Sequence, residues 1–157
     1  MSKVAYRPED FRDAIKEFRG VIVDADYGLE PLGMTGAPEI EAKREQLCIK
    51  IDSPSYDKSQ YEWYAPSSVK KTRWAYFIEA LAKCGALVDI SISGETEEER
   101  LKSFAKALIG MEFDWVELTG LEIVVKGKTV DILLPDVYHG RKEIKPVEEV
   151  RTEEVEL

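Results

Sequence analysis

The stretch YEWYAPSSVKKTRW, residues 61–74, sets Tyr61, Trp63, Tyr64 and Trp74 close to Lys70, Lys71 and Arg73. Flat rings beside cations suit an unpaired nucleic-acid strand, whose bases stack on the rings while its phosphates meet lysine and arginine. Each stacked base is worth about 1–3 kcal/mol, and an arginine over a ring adds cation–π attraction. Tyr56 and Lys58 lie just upstream. In a strand, Tyr61 and Trp63 share one face, and Glu62 and Tyr64 the other. One set therefore faces outward and the other enters the core; the residue types leave that choice open. Trp74 falls on a helical apolar stripe and is assigned to the core. Further cations sit where loops are expected: Lys126 and Lys128 flank Gly127, and His139, Arg141 and Lys142 come later.

Other chemistries find less support. Asp24 and Asp26 share a strand face, with Asp131 a candidate neighbour, and paired carboxylates can hold Mg²⁺ for a nuclease. Solvent-facing aspartate on an alternating strand is the commoner case. His139 is the sole histidine. Zinc-ligand spacing, the phosphate-binding GxxxxGK[ST] and the dinucleotide-binding GxGxxG are all lacking. No catalytic residue, cofactor or metal is expected.

The chain has 157 residues and a net charge of −9. That length suits one domain with one core. Acidity alone argues against binding phosphate. The charge is unevenly spread, however: PVEEVRTEEVEL, 146–157, has five Glu against one Arg and so supplies −4 of the −9. Cys48 and Cys84 are far apart in sequence and read as small apolar residues of a reducing compartment. No apolar run reaches the about 18–20 residues that span a bilayer, and MSKVAYRPEDF has no apolar leader segment. A cytoplasmic protein without membrane contact is expected.

PEDFRDAIKEFR, 8–19, spaces Phe11, Ile15 and Phe18 as in a helix, with Gly20 as its stop. GVIVDADY, 20–27, is a strand. The glycine- and proline-rich segment 28–43 is a long loop. EQLCIKID, 45–52, and QYEWYA, 60–65, are strands. A helix starts near Ser67 or Ser68 and carries Trp74, Phe77, Ile78 and Leu81 on one face, ending at Gly85. LVDISIS is a short extended stretch. Thr96 and Glu99 form a capping box, and Leu101, Phe104, Ala105, Leu108 and Ile109 make a second amphipathic helix closed by Gly110. MEFDWVEL, 111–118, alternates, and 121–135 reads as a hairpin turning near Lys126-Gly127. The division is one domain over 1–145 and an acidic tail over 146–157. Strands outnumber helices, and two helices interrupt the sheet between strands three and four. The fold class is mainly β with helices: a five- to six-stranded antiparallel Greek-key barrel of OB-fold type.

With GVIVDADYG, EQLCIKID, QYEWYAP, KTRWAYFIEALAKCGA and GMEFDW in this order, the chain resembles the OB-fold single-stranded-DNA-binding proteins of phages and archaeal mobile elements. In that family a helix ending in Leu-x-x-x-Gly precedes a Leu-x-Gly-x-x-Phe entry into strand four. Leu81–Gly85 and Leu108-Ile109-Gly110-Met111-Glu112-Phe113 match, and the likeness spans 20–135. It implies a non-enzymatic protein that binds single-stranded DNA, or RNA, with little sequence preference. The ligand would lie on Tyr61, Trp63, Tyr64, Lys70, Lys71, Arg73, Lys126, Lys128 and Arg141. It also implies an acidic tail that competes for the groove and, once displaced, meets replication or recombination proteins. The rival expectation is a protein-interaction adaptor of the same fold, with its aromatics in the core.

Overall fold

The computed structural model describes residues 13–29, 45–123 and 128–144. Five strands and two helices follow one another as β1 (Asp13–Gly28), β2 (Gln46–Asp52), β3 (Gln60–Tyr64), α1 (Arg73–Lys83), α2 (Glu97–Leu108), β4 (Met111–Ile123) and β5 (Lys128–Arg141). A 3₁₀ turn, Ala86–Asp89, lies between the helices, where an extended stretch was expected. The protein is mainly β, with both helices between β3 and β4 as the sequence pattern indicates. The turn at Lys126-Gly127, most of the 28–43 loop and the tail 146–157 lie outside the described residues.

The strands form one antiparallel sheet in the order β3-β2-β1-β4-β5. The long β1 organises it. Its first half, Asp13–Val21, pairs with β4, and its second half, Val21–Gly28, pairs with β2. Val21 stands opposite Glu112 on one side and Asp52 on the other. The register shifts between Ile22 and Asp24, and such a bulge bends and twists a strand.

This overturns the helix expected over 8–19. Residues 13–19 are strand, and 8–12 lie outside the described residues. The reason is tertiary. Helix and strand preferences of DAIKEFR differ by tenths of a kcal/mol per residue, whereas burying one phenylalanine is worth about 1.5–3 kcal/mol. β4 supplies the ladder, and Phe18 is buried opposite Trp115. Gly20 is therefore no helix stop. A Cβ there would lie 2.7 Å from Ile51 Cγ2, and the Gly20 carbonyl accepts the indole N–H of Trp115 at 3.0 Å.

The core joins Ile22, Leu47, Ile49, Ile51, Phe113, Trp115 and Leu134 from the sheet to Phe77, Leu81, Phe104 and Leu108 from the helices. The N-cap of α1 is Thr72, not Ser67 or Ser68: its hydroxyl accepts the Ala75 N–H at 3.1 Å. Ser67 instead accepts the Val69 N–H in the preceding turn. Trp74 packs edge-on against Phe104, 5.9 Å between centroids, in line with its core assignment. The capping box of α2 forms as expected, with Glu99 N–H donating to Thr96 Oγ1 at 3.1 Å. After α2, Gly110 at φ +97 donates to Ile22 C=O at 2.7 Å and accepts from Lys142 N–H at 2.6 Å. A Cβ at Gly110 would meet the Lys142 carbonyl oxygen at 2.6 Å, so this crossing of three segments requires glycine.

The sheet is not closed into a barrel. β3 and β5 are its edges, and among the described residues no backbone ladder joins them. Side chains cross the gap instead. Tyr64 donates its phenol O–H to Leu133 C=O at 2.9 Å. Arg73 binds Trp63 C=O through Nε at 3.2 Å and Asp131 C=O through Nη1 at 3.1 Å. Exposed edge groups invite foreign strands, and these side chains occupy several of them.

Candidate nucleic-acid interface

Strand alternation decides which aromatics are available. Tyr64 is fully buried and stacks on Phe77 at 4.2 Å and 13°. It is a core residue, which corrects its place among the expected ligand contacts: its ring lies over α1, and its hydroxyl is bound across the seam. Tyr61 and Trp63 point the other way, partly exposed, with ring centroids 6.1 Å apart and planes within 24°.

The residues beside this pair follow from register. Trp63 is opposite Cys48, which is opposite Asp26; Tyr61 is opposite Lys50, which is opposite Asp24. The outer face of β1–β2–β3 thus carries two rows, Asp26–Cys48–Trp63 and Asp24–Lys50–Tyr61. Lys50 is the residue that sequence reasoning missed: the alternation of EQLCIKID sets it opposite the Leu47, Ile49 and Ile51 face, but only strand register puts it beside Tyr61. Cys48 is buried beneath the flanking side chains. Its thiol is pushed up to about 12, by burial first and then by Asp24, Glu62 and Asp26, so it is an inert neutral group.

The expected cations divide. Arg73 is committed to the seam: beyond the two carbonyls it ion-pairs with Glu62 and lies 5.7 Å from the centre of the Tyr64 ring. These contacts turn its guanidinium to the seam and away from the aromatic pair. Burial pushes the Glu62 carboxyl up to about 7, against the opposing pull of Arg73. Arg141 donates to Ile109 C=O at 3.0 Å and Asp89 C=O at 2.8 Å, closing the ends of α2 and the 3₁₀ turn. It too holds backbone rather than facing the aromatic pair. Lys70 and Lys71 are exposed in the segment between β3 and α1, Lys71 at φ +58. Lys128 opens β5 opposite Ile123, and Lys126 lies outside the described residues.

The carboxylates fit a structural role. Asp24 and Asp26 each accept the N–H of the following residue, at 2.9 and 2.8 Å. Asp131 is on β5, separated from β1 by β4, so the expected neighbour of Asp24 and Asp26 is elsewhere. Among the described residues no group of three or more His, Cys, Asp or Glu could hold a metal ion. His139 Nε2 and Arg19 Nε both lie 3.0 Å from Asp114 Oδ1. Burial tends to raise the Asp114 carboxyl, but these two partners together hold it below its usual value. No described helix is long and apolar enough to cross a membrane. No protein-family model, curated protein or solved structure matches the chain.

Proposed function

We propose that this chain is a non-enzymatic, OB-fold-like binding module for single-stranded nucleic acid, DNA in the first instance, acting in the cytoplasm. The observation that carries the reading is the outward-facing Tyr61–Trp63 pair, two near-parallel rings on a sheet face with Lys50 beside them. Bases stack on such rings whatever their identity, which gives affinity with little sequence preference. Lys50, Lys58 and Lys70 meet the phosphates. The strand order β3-β2-β1-β4-β5, with both helices between β3 and β4, supports an OB-fold-like reading in which the seam between β3 and β5 stays open. The acidic tail, Glu148 to Glu156, competes for the same face and engages replication or recombination proteins once displaced.

With about three lysines in contact, log K falls with log salt at a slope near −2, shallow for such a protein. The test is titration with oligo-dT, following tryptophan emission at two salt concentrations. Quenching that weakens with salt supports the reading; no quenching at low salt refutes it.

A second reading, a protein-interaction adaptor, draws on one observation. Leu87, Val88 and Ile92, between α1 and α2, are exposed apolar side chains, Val88 at 87 %. Single exposed apolar residues are ordinary, but three within six positions concentrate apolar surface in one short segment. Capture of a protein partner that is lost in Val88→Asp, with no oligonucleotide binding, would favour this reading.

A further inference from the structure

The outer face does not stop at Tyr61. Past Tyr61 and Lys50 the same face continues with Ser59 before β3, Asp52 at the end of β2 and, across the register shift, Val21 on β1. Val21 is opposite Asp52, and the Ser59 hydroxyl is bonded to the Asp52 carboxylate. The register shift of β1 falls here and inserts Val23 beside Val21. Beyond this third row opens a pocket of about 390 Å³ lined by Val21, Val23, Asp52, Tyr56, Lys58 and Ser59, among others.

We infer that this pocket takes an unstacked nucleobase from the strand whose neighbouring bases lie on Tyr61 and Trp63. The inference rests on the proposed function and adds a second, distinct contact to it. The valines and the Tyr56 ring offer apolar walls for a flat heterocycle, and serine and aspartate groups meet its polar edge. That combination is typical of small-ligand pockets in this size range. Tyr56 is held in place: it packs edge-on to Phe18 at 5.0 Å, and the Lys16 ammonium lies 4.7 Å from its ring centre. The pocket is thus preformed, and binding need not order it. Lys58 brings a cation to the phosphate of the inserted nucleotide. A paired base cannot leave its duplex without unstacking, so the pocket also discriminates against double strands.

The experiment uses the full chain and two probes. Val23→Trp fills the pocket while leaving Tyr61 and Trp63 in place. Its affinity for oligo-dT is expected to fall about tenfold, the loss of one base contact, with quenching retained at saturation. Because a tryptophan on β1 can disturb the fold, the wild-type protein is also photocrosslinked to an oligonucleotide carrying 5-iodouracil. Adducts on both Tyr56 and Trp63 are expected. Adducts on Trp63 alone, with Val23→Trp folded and binding as tightly as wild type, overturn the pocket and leave the proposed function standing. No binding of any oligonucleotide to wild type overturns both.

Discussion

Tyr64 on β3 and Leu133 on β5 are joined by a 2.9 Å hydrogen bond between the two edges of the sheet. The ladder stops at these edges, and a buried tyrosine spans the remaining gap with its side chain. The phenol is satisfied in the core while the ring fills the space over Phe77.

Replacing that hydroxyl therefore tests the seam rather than the ligand face. Tyr64→Phe keeps the ring and strands one buried carbonyl lone pair. The expected cost is about 1–2 kcal/mol of unfolding free energy, with oligonucleotide affinity unchanged. Urea denaturation and the fluorescence titration read the two separately.

Tyr61→Ala and Trp63→Ala should behave in the opposite way. Both rings are partly exposed on the outer face, so stability changes stay within about 1 kcal/mol. Each substitution weakens oligonucleotide binding by about 1–3 kcal/mol. Since the emission titration reads tryptophan and Trp63 is the tryptophan on the outer face, the Trp63→Ala titration is followed by anisotropy of a labelled oligonucleotide.

Arg73 separates a structural role from a phosphate-binding one. Its guanidinium ties together Glu62, Trp63 and Asp131, and removing it leaves the mostly buried Glu62 without its partner. Arg73→Met is expected to cost about 2–4 kcal/mol, somewhat below a fully buried pair because the arginine is one third exposed. Arg73→Lys recovers little, since an ammonium cannot serve both carbonyls and the carboxylate. A stable Arg73→Met variant with a shallower salt dependence of binding would instead assign Arg73 to phosphate.

The same carboxyl predicts a pH dependence. Burial raises folded Glu62 to about 7, from its ordinary 4.5. Between these values the folded protein holds a proton that the unfolded chain has lost. The stabilisation this gives is full below about 4.5 and is lost as pH rises through about 7. Unfolding midpoints should fall from pH 5 to pH 8 by more in wild type than in Glu62→Gln, which cannot ionise. Parallel profiles in the two proteins would remove Glu62 as the cause. Asp114 acts with the other sign and at lower pH: its carboxyl is held low, so its contribution is lost on acidification.

Much of the secondary structure was legible locally. The alternation of EQLCIKID, QYEWYA and MEFDWVEL gives β2, β3 and the start of β4, and the Thr96–Glu99 capping box gives α2. These signals lie within a few residues of the elements they specify. The start of α1 was misread because three hydroxyl residues compete, and which becomes the cap depends on how the chain leaves β3. The first half of β1 was misread because its apolar spacing also suits a helix, and only the presence of β4 decides for strand.

For the candidate site, local pattern is enough to say that Tyr61 and Trp63 share a face, that Tyr64 takes the other, and that cations lie close by in the chain. Side-chain alternation is a local property of an extended backbone, so it can be read without the rest of the protein. Tertiary structure alone decided which face is core, because that depends on where α1 lays Phe77. It also decided that Arg73 and Arg141 hold backbone carbonyls, and that Lys50 stands beside Tyr61. Those pairings join residues 10 to 58 positions apart, brought together by strand register and chain crossings rather than by spacing in the sequence.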